Sequence, residues 1–325
     1  VQEQAVKKQT DGILVTGANG FLGRGLVAHL MTLGYTVRTV VRQPRESTGA
    51  DELVKEIHEE ADWSDAFLGI STVIHTAARV HVMRETTINS EVEFYRTNVA
   101  GTLSLARQAV KNGVKRFIFL SSIKVNGDVT FPGDPFRADG PVYPSDAYAR
   151  SKQQAEVELL NLGCQTGLEV VIIRPPLVYG PGVKANFYSM LKWVEKGIPL
   201  PFGSIHNQRS LVAVSNLIDL LTLCISHPKA AGEVFLVSDG SDLSTTELLR
   251  TLAEGMSRPA RLIPVPSFWL KSIASSLGRN DLAIRLCGSL QVDIQKTRDV
   301  LNWTPFVSAH TALKQVAKYY LEAKK

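Results

Sequence analysis

The sequence predicts a doubly wound α/β fold, a parallel sheet with helices on both faces, followed by a smaller α/β lobe. Three observations predict it. Gly12 to Gly34 reads as strand, glycine turn and helix. Runs of β-formers then alternate with stretches of helical apolar spacing as far as Arg174. Beyond Gly182 a second part begins with a short helix, Asn186 to Lys196, broken by Lys196-Gly197-Ile198-Pro199-Leu200-Pro201.

Ile13, Leu14 and Val15 form an apolar run suited to a strand buried on both faces. After the turn, Phe21, Leu22, Leu26, Val27 and Leu30 recur as on one helix face. Between them lies Thr16-Gly17-Ala18-Asn19-Gly20-Phe21-Leu22-Gly23. In a dinucleotide fingerprint Gly17 would turn the chain, Gly20 would admit the pyrophosphate, and Gly23 would let helix and strand pack closely. The helix start would offer free N–H groups to phosphate. An ordinary glycine turn is the competing reading.

A second β run, Tyr35 to Arg42, ends without an acid and with Arg42, Arg45 following closely. In this fold an acid there binds a ribose 2′-hydroxyl, whereas arginine accommodates a 2′-phosphate. The residues favour NADP over NAD, or Arg42 is a solvated strand-end charge. Ile57 to Trp63 is a candidate third strand ending in Asp62, whose carboxylate could accept from an adenine amino group. Thr72 to His75 is the fourth, followed by Thr76-Ala77-Ala78, small enough for a cofactor to lie against the backbone. His75 and His81 have no second ligand at metal spacing and read as structural or site-lining. Glu93 to Asn112 is a helix with the polar Asn98 in an apolar stretch, where it needs backbone partners. Lys115 to Ser121 is the fifth strand.

Ser121 and Ser122 end that strand, where open α/β sheets place their ligand crevice. After a loop over Asn126–Ser145 comes Tyr148-Ala149-Arg150-Ser151-Lys152, opening a helix. Tyr148 and Lys152 project from one face a turn apart. A cationic lysine near a phenol lowers its pKa and suits it to proton transfer near neutral pH. The same spacing also fits an exposed surface pair.

Composition narrows the class. Hydrophobic residues make up 44% of 325, enough for a large core. The net charge of +5 is scattered and forms no long run; it could help anionic small molecules approach but does not indicate a nucleic-acid binder. Cys164, Cys224 and Cys287 lie far apart, without metal spacing, and read as buried reduced thiols. No apolar run reaches spanning length, and residues 1–11 read as a loose polar leader, so a soluble cytoplasmic protein is expected.

Taken together, these residues resemble the extended short-chain dehydrogenase/reductases, in the NAD-dependent epimerase/dehydratase family. The resemblance rests on Thr16-Gly17-x-x-Gly20-x-x-Gly23, Asp62, Asn98, Ser122, Tyr148-x-x-x-Lys152 and Arg174-Pro175-Pro176-Leu177-Val178-Tyr179-Gly180-Pro181-Gly182. Asp293–Lys296 and Leu301–Pro305 resemble the closing segment. It implies a Rossmann domain over 12–176, with later segments packing back onto it, and a nucleotide-sugar substrate lobe over 177–325. The implied catalytic residues are Ser122 on the sugar oxygen, Tyr148 as acid/base and Lys152 on the nicotinamide ribose. The implied cofactor contacts are Gly17, Asn19, Gly20, Phe21, Leu22, Gly23, Arg42, Asp62, Trp63, Ala77, Asn98, Tyr148 and Lys152, with Pro175 and Val178 beside the nicotinamide.

Dehydratases of this family carry an Asp-Glu pair after the residue matching Ser122. Here Ile123 and Lys124 stand instead, and neither serves as a carboxylate base, which argues against 4,6-dehydration. The stretch Ser121–Gly127 looks most like a subgroup that reduces a UDP-linked 4-keto-6-deoxy sugar, often labelled 4-epimerases. The leading expectation is hydride transfer from NADPH to C4 in surface polysaccharide (O-antigen) precursor synthesis. The alternative is a UDP-sugar 4-epimerase with tightly bound NAD; a non-catalytic NADP-binding regulator is more distant. Lys124 reads as a substrate contact or a solvated loop charge. Asn186 and Arg209 match the family's diphosphate ligands, with Arg279 or Arg285 as a second arginine. Ala213 and Asn216 depart from the His and Asp common in relatives. The resemblance also implies a homodimer paired through Glu93–Asn112 and Tyr148–Leu162; no metal, nucleic-acid or membrane partner is expected.

Overall fold

The computed structural model describes residues 12–44, 50–80, 87–131, 133–276, 278, 284 and 286–324, with backbone alone at 87–90, 185 and 271. The leader over 1–11, Arg45, His81, Arg279 and Arg285 lie outside the described residues. In chain order the main elements are β1 (Gly12–Thr16), α1 (Phe21–Thr32), β2 (Val37–Val41), β3 (Asp51–Val54) and β4 (Ile70–His75). Then come α2 (Thr87–Phe94), α3 (Thr102–Lys111), β5 (Arg116–Leu120), α4 (Ala147–Thr166), β6 (Glu169–Arg174) and β7 (Leu177–Tyr179). They continue as α5 (Ala185–Glu195), β8 (Leu211–Ala213), α6 (Val214–Ser226), β9 (Val234–Leu236), α7 (Thr245–Gly255) and α8 (Ser267–Ser276). Helices Gln295–Leu301 and Ala309–Glu322 close the chain.

The chain divides into two compact units. One takes the described residues through Val125, with Pro144–Arg174 and Ile218–Phe235. Its sheet runs β3-β2-β1-β4-β5-β6-β9, and the first six strands pair in parallel. β1 is buried along its whole length between β2 and β4, which is why it carries a continuous apolar run. The strand order reverses between β1 and β4, and ligands of such sheets bind beyond the carboxyl ends at that point. Ile218–Phe235 returns to this unit and is held by Arg116, whose Nη1 donates to the Cys224 carbonyl at 2.7 Å. Cys224 is buried and its thiol is pushed up to about 12; Cys287 is buried too, but Cys164 is exposed, against expectation. It sits on the solvent side of α4, whose inward face is set by Ala155 and Leu159.

Two sequence expectations need correction. Ile57–Trp63 is not a strand; the third strand is β3, an edge strand with only β2 beside it. Gln108 of α3 takes the place of a sheet neighbour for that loop, accepting from Trp63 N–H and donating to the Ala61 carbonyl, each at 2.8 Å. The predicted helix over Glu93–Asn112 begins earlier, at Thr87, and passes through a π turn over Tyr95–Gly101 before α3. Such turns re-aim side chains and recur at functional sites.

The second unit takes Asn126–Tyr143, Pro175–Leu217 and the described residues from Leu236. β7 pairs in parallel with β8. Asp239 is the buried hub beside them. It accepts from Tyr179 Oη at 2.6 Å, Ala213 N–H at 2.8 Å and Asn216 Nδ2 at 2.7 Å. Asn216 also donates to the Val307 carbonyl, so its departure from the family pattern serves a structural junction. Among the described residues no helix is long and apolar enough to cross a membrane.

Candidate active site

The glycine turn forms a cradle at the carboxyl end of β1. Gly17 has φ +70°, and a Cβ there would lie 2.8 Å from the Ala77 backbone nitrogen. A Cβ on Gly23 would lie 2.2 Å from the Gly17 carbonyl oxygen, which is how α1 comes so close to the strand. Helix α1 has neither a side-chain cap nor an acid in its first turn, so its leading N–H groups and dipole are available to an anion. A cavity of about 410 Å³ opens here, lined by Gly17, Asn19, Gly20, Thr76 and Ala77. Phe21 is half-buried, while Leu22 and Gly23 are buried behind the turn.

The far end of the cavity is lined by Arg42, Gln43, Lys55, Glu56, Ile57 and His58. Arg42 is exposed, and Arg96 also lines the wall. Asp62 and Trp63 are not part of this lining. Asp62 is exposed and accepts from Ser64 N–H at 3.0 Å, which with neighbouring Lys55 holds its pKa low. Trp63 is fully buried in the core. Because β3 ends at Val54, residues 55–58 occupy the sheet edge assigned to Asp62 from the sequence. The overlooked signal was Leu53-Val54, an apolar pair preceded by two acids.

His75 is neutral and structural. Its Nδ1 meets Thr16 Oγ1 at 2.7 Å and its Nε2 meets Thr102 Oγ1 at 2.9 Å, and burial drives its pKa down to about 3. Among the described residues no group of His, Cys, Asp or Glu could hold a metal. Asn98, buried in the π turn, accepts from Arg79 N–H at 2.8 Å and donates to the Arg79 carbonyl and Ser151 Oγ. It thereby ties the loop after β4 to α4.

Ser122, Tyr148 and Lys152 come together at the carboxyl end of β5 and the start of α4. Asp146 caps α4, its Oδ1 accepting from Ala149 N–H at 2.7 Å. Tyr148 packs edge-on against Phe94 with centroids 6.1 Å apart. Its surroundings raise the phenol from 10.0 to about 12: burial dominates, the Asp146 charge adds, and a hydrogen bond with Ser122 pulls it back. Lys152 is fully buried, its Nζ lying 4.1 Å from the Phe119 ring centroid. Burial lowers its pKa from 10.5 to about 7, and Glu156 opposes that shift. The expectation that the lysine would depress the phenol is therefore corrected. Burial, helped by the Asp146 charge, sets the direction of the Tyr148 shift in the protein alone.

The other expected residues lie in the second unit. Pro175 is buried and Val178 half-buried at the entry to and within β7. Asn186 is exposed in the first turn of α5. Arg209 is half-buried, donates to the Gly288 carbonyl at 3.1 Å, and has its pKa lowered by burial. Lys124, in the first unit, is paired with Asp146.

Residues 13–238 match the NAD dependent epimerase/dehydratase family. The chain belongs to that family. Across 98% of its length, and 98% of the relative's, this family member is 45% identical to a Vibrio cholerae protein named UDP-glucose 4-epimerase. It is 26% identical to MoeE5, solved with UDP-glucuronic acid and NAD, with a TM-score of 0.77 over 96% of this chain and 99% of that one. The Thermotoga maritima UDP-glucose 4-epimerase, solved with UDP-glucose, is 23% identical and shares the fold, with a TM-score of 0.78 over 97% of this chain and all of that one.

The burial of Lys152 has a measurable cost. Between its folded pKa of about 7 and its ordinary 10.5, the unfolded chain holds more protons, so this residue makes stability rise with pH. Lys152→Met is therefore expected to stabilise the fold near pH 7 by about 0.5–2 kcal/mol. The advantage should shrink towards pH 10. Melting curves at the two pH values check this; a gap that widens with pH contradicts it.

Proposed function

We propose that this enzyme is a UDP-sugar 4-epimerase that retains NAD through its catalytic cycle. The observation that carries the reading is the full-length 45% identity to a protein bearing that name. The cavity lined by Gly17, Asn19 and Gly20, at an uncapped helix start, suits a dinucleotide pyrophosphate. The chemistry NAD would supply there is reversible hydride exchange at C4, with the hydride returned to the opposite face once the keto sugar has turned over. Tyr148 would remove the 4-hydroxyl proton and later return it. Ser122 would hold the same oxygen, and Lys152 would hold the nicotinamide ribose. Pro175 and Val178 are assigned to the nicotinamide, and Arg209 and Asn186 to the diphosphate, for which a planar guanidinium is well shaped. Exposed Tyr95 and Val157 support pairing of two copies across the faces of the π turn and α4.

Reduction of a UDP-4-keto sugar by NADPH is the second reading, favoured by Arg42 at the cavity and the lack of an acid at the end of β2. The two differ in cofactor balance. Purified protein given UDP-galactose should yield UDP-glucose by chromatography with no net change in nicotinamide absorbance. Stoichiometric loss of NADPH with a UDP-4-keto sugar, and no interconversion of UDP-galactose, would reverse the order.

A further inference from the structure

We propose that Lys124 and Asp146 act as a positioning pair, fixing the Ser122 turn against the start of α4 and so setting the approach of the Ser122 and Tyr148 hydroxyls. The proposal rests on the reading of Tyr148 as the proton-transfer group.

The pair joins two short segments that each carry a reacting side chain. Lys124 lies in the single turn Ile123–Val125, two residues beyond Ser122, and its N–H donates to Ser122 Oγ at 3.3 Å. Ile123 and Val125 on either side are buried, so the turn is anchored in the core. Asp146 lies two residues before Tyr148 and uses its two oxygens differently. Oδ1 caps the helix through Ala149 N–H, and Oδ2 meets Lys124 Nζ at 2.5 Å. Both side chains are mostly withdrawn from solvent, at 32% and 26% exposed, where an ion pair is screened less than on the surface. The intervening Asn126–Tyr143 belongs to the other unit, so the ion pair is a direct tie between the two catalytic segments within the first unit.

The charges give the pair a second consequence. Asp146 disfavours the Tyr148 phenolate, and Lys124 offsets that charge. Among the described residues, Tyr148 also meets Ser122 from the same turn and the uncharged Phe94 of α2, and Lys152 lies one turn on along α4. Lys152 in turn faces Glu156, held by Arg174 of β6, and His75 of β4. Removing either member of the pair therefore shifts Tyr148 in opposite directions. Asp146→Asn keeps an oxygen for the cap and removes the negative charge. Lys124→Met leaves that charge without its lysine.

The test measures kcat against pH for UDP-galactose interconversion by the wild type, Lys124→Met, Lys124→Arg, Asp146→Asn and Tyr148→Phe. Lys124→Met should lose about 10- to 100-fold in kcat, with the rising alkaline limb of the profile moved up by about 0.5–1 pH unit. Asp146→Asn should move that limb down by a similar amount, and Lys124→Arg should restore most of the wild-type profile. Ultraviolet difference titration of each variant against its Tyr148→Phe counterpart follows the phenol without substrate. Limbs that shift together or stay put, or an arginine that restores nothing, overturn the pair. Should Lys124→Met fail to fold, the Asp146→Asn and Lys124→Arg profiles decide. If Tyr148→Phe keeps wild-type turnover, the proposed function falls instead.

Discussion

Replacing Tyr148 with phenylalanine is expected to lower kcat by about 10²- to 10⁴-fold, the usual worth of a positioned proton donor and acceptor. The substitution removes only the hydroxyl. The ring remains packed edge-on against Phe94, and Asp146 still caps the helix through Ala149. Fold and cofactor affinity should therefore be unchanged, which fluorescence titration with NAD and a melting curve would establish. The wild-type pH profile carries the same argument. The phenol sits at about 12, so little phenolate is present at neutral pH. If base-form Tyr148 starts the cycle, kcat should climb through the alkaline range in the wild type and stay flat in Tyr148→Phe. A variant that keeps its turnover, or a wild-type rate that falls as pH rises from neutral, contradicts the assignment.

The parts of the site visible in the sequence are those that burial writes into composition. β1, β4 and β5 are interior strands and read as continuous apolar runs, so their carboxyl ends, and with them Gly17, Ala77 and Ser122, were located correctly. Tyr148 and Lys152 share a helix face because the helical repeat requires it. β3 escaped because an edge strand needs no apolar alternation; Asp51 and Glu52 disguise it, and the sequence reading places the strand at Ile57–Trp63 instead. β7 and β8 are too short to show a period. The tie between Lys124 and Asp146 joins residues 22 apart in sequence, a relation no local pattern carries. The direction of the Tyr148 shift was also beyond the sequence, since spacing gives the lysine's proximity but not the depth of burial that outweighs it.

The second large effect is expected at Glu156, one turn beyond Lys152 on the same face of α4. Glu156 and Arg174 are both buried, and the carboxylate takes three contacts from the guanidinium: Nε at 2.9 and 3.2 Å, and Nη2 at 2.6 Å. Glu156→Ala leaves the Arg174 guanidinium buried without its carboxylate, which should cost about 3–5 kcal/mol. That is a large part of the 5–15 kcal/mol that typically holds a domain together. Urea unfolding should show a much lower midpoint. Glu156→Gln keeps the shape and part of the hydrogen bonding and should lose less. The double variant Glu156→Leu, Arg174→Met removes both charges and should recover most of the stability, because an apolar pair of similar volume avoids the desolvation of two ions. Recovery of the fold should not bring back full activity. Glu156 is the charge that opposes the desolvation of Lys152, so its loss leaves the buried lysine more readily neutral and its rate at neutral pH lower. A double variant as unstable as Glu156→Ala would mean that the pair holds α4 to β6 through shape rather than charge. A stable double variant with wild-type kcat at every pH would remove Glu156 from any account of Lys152.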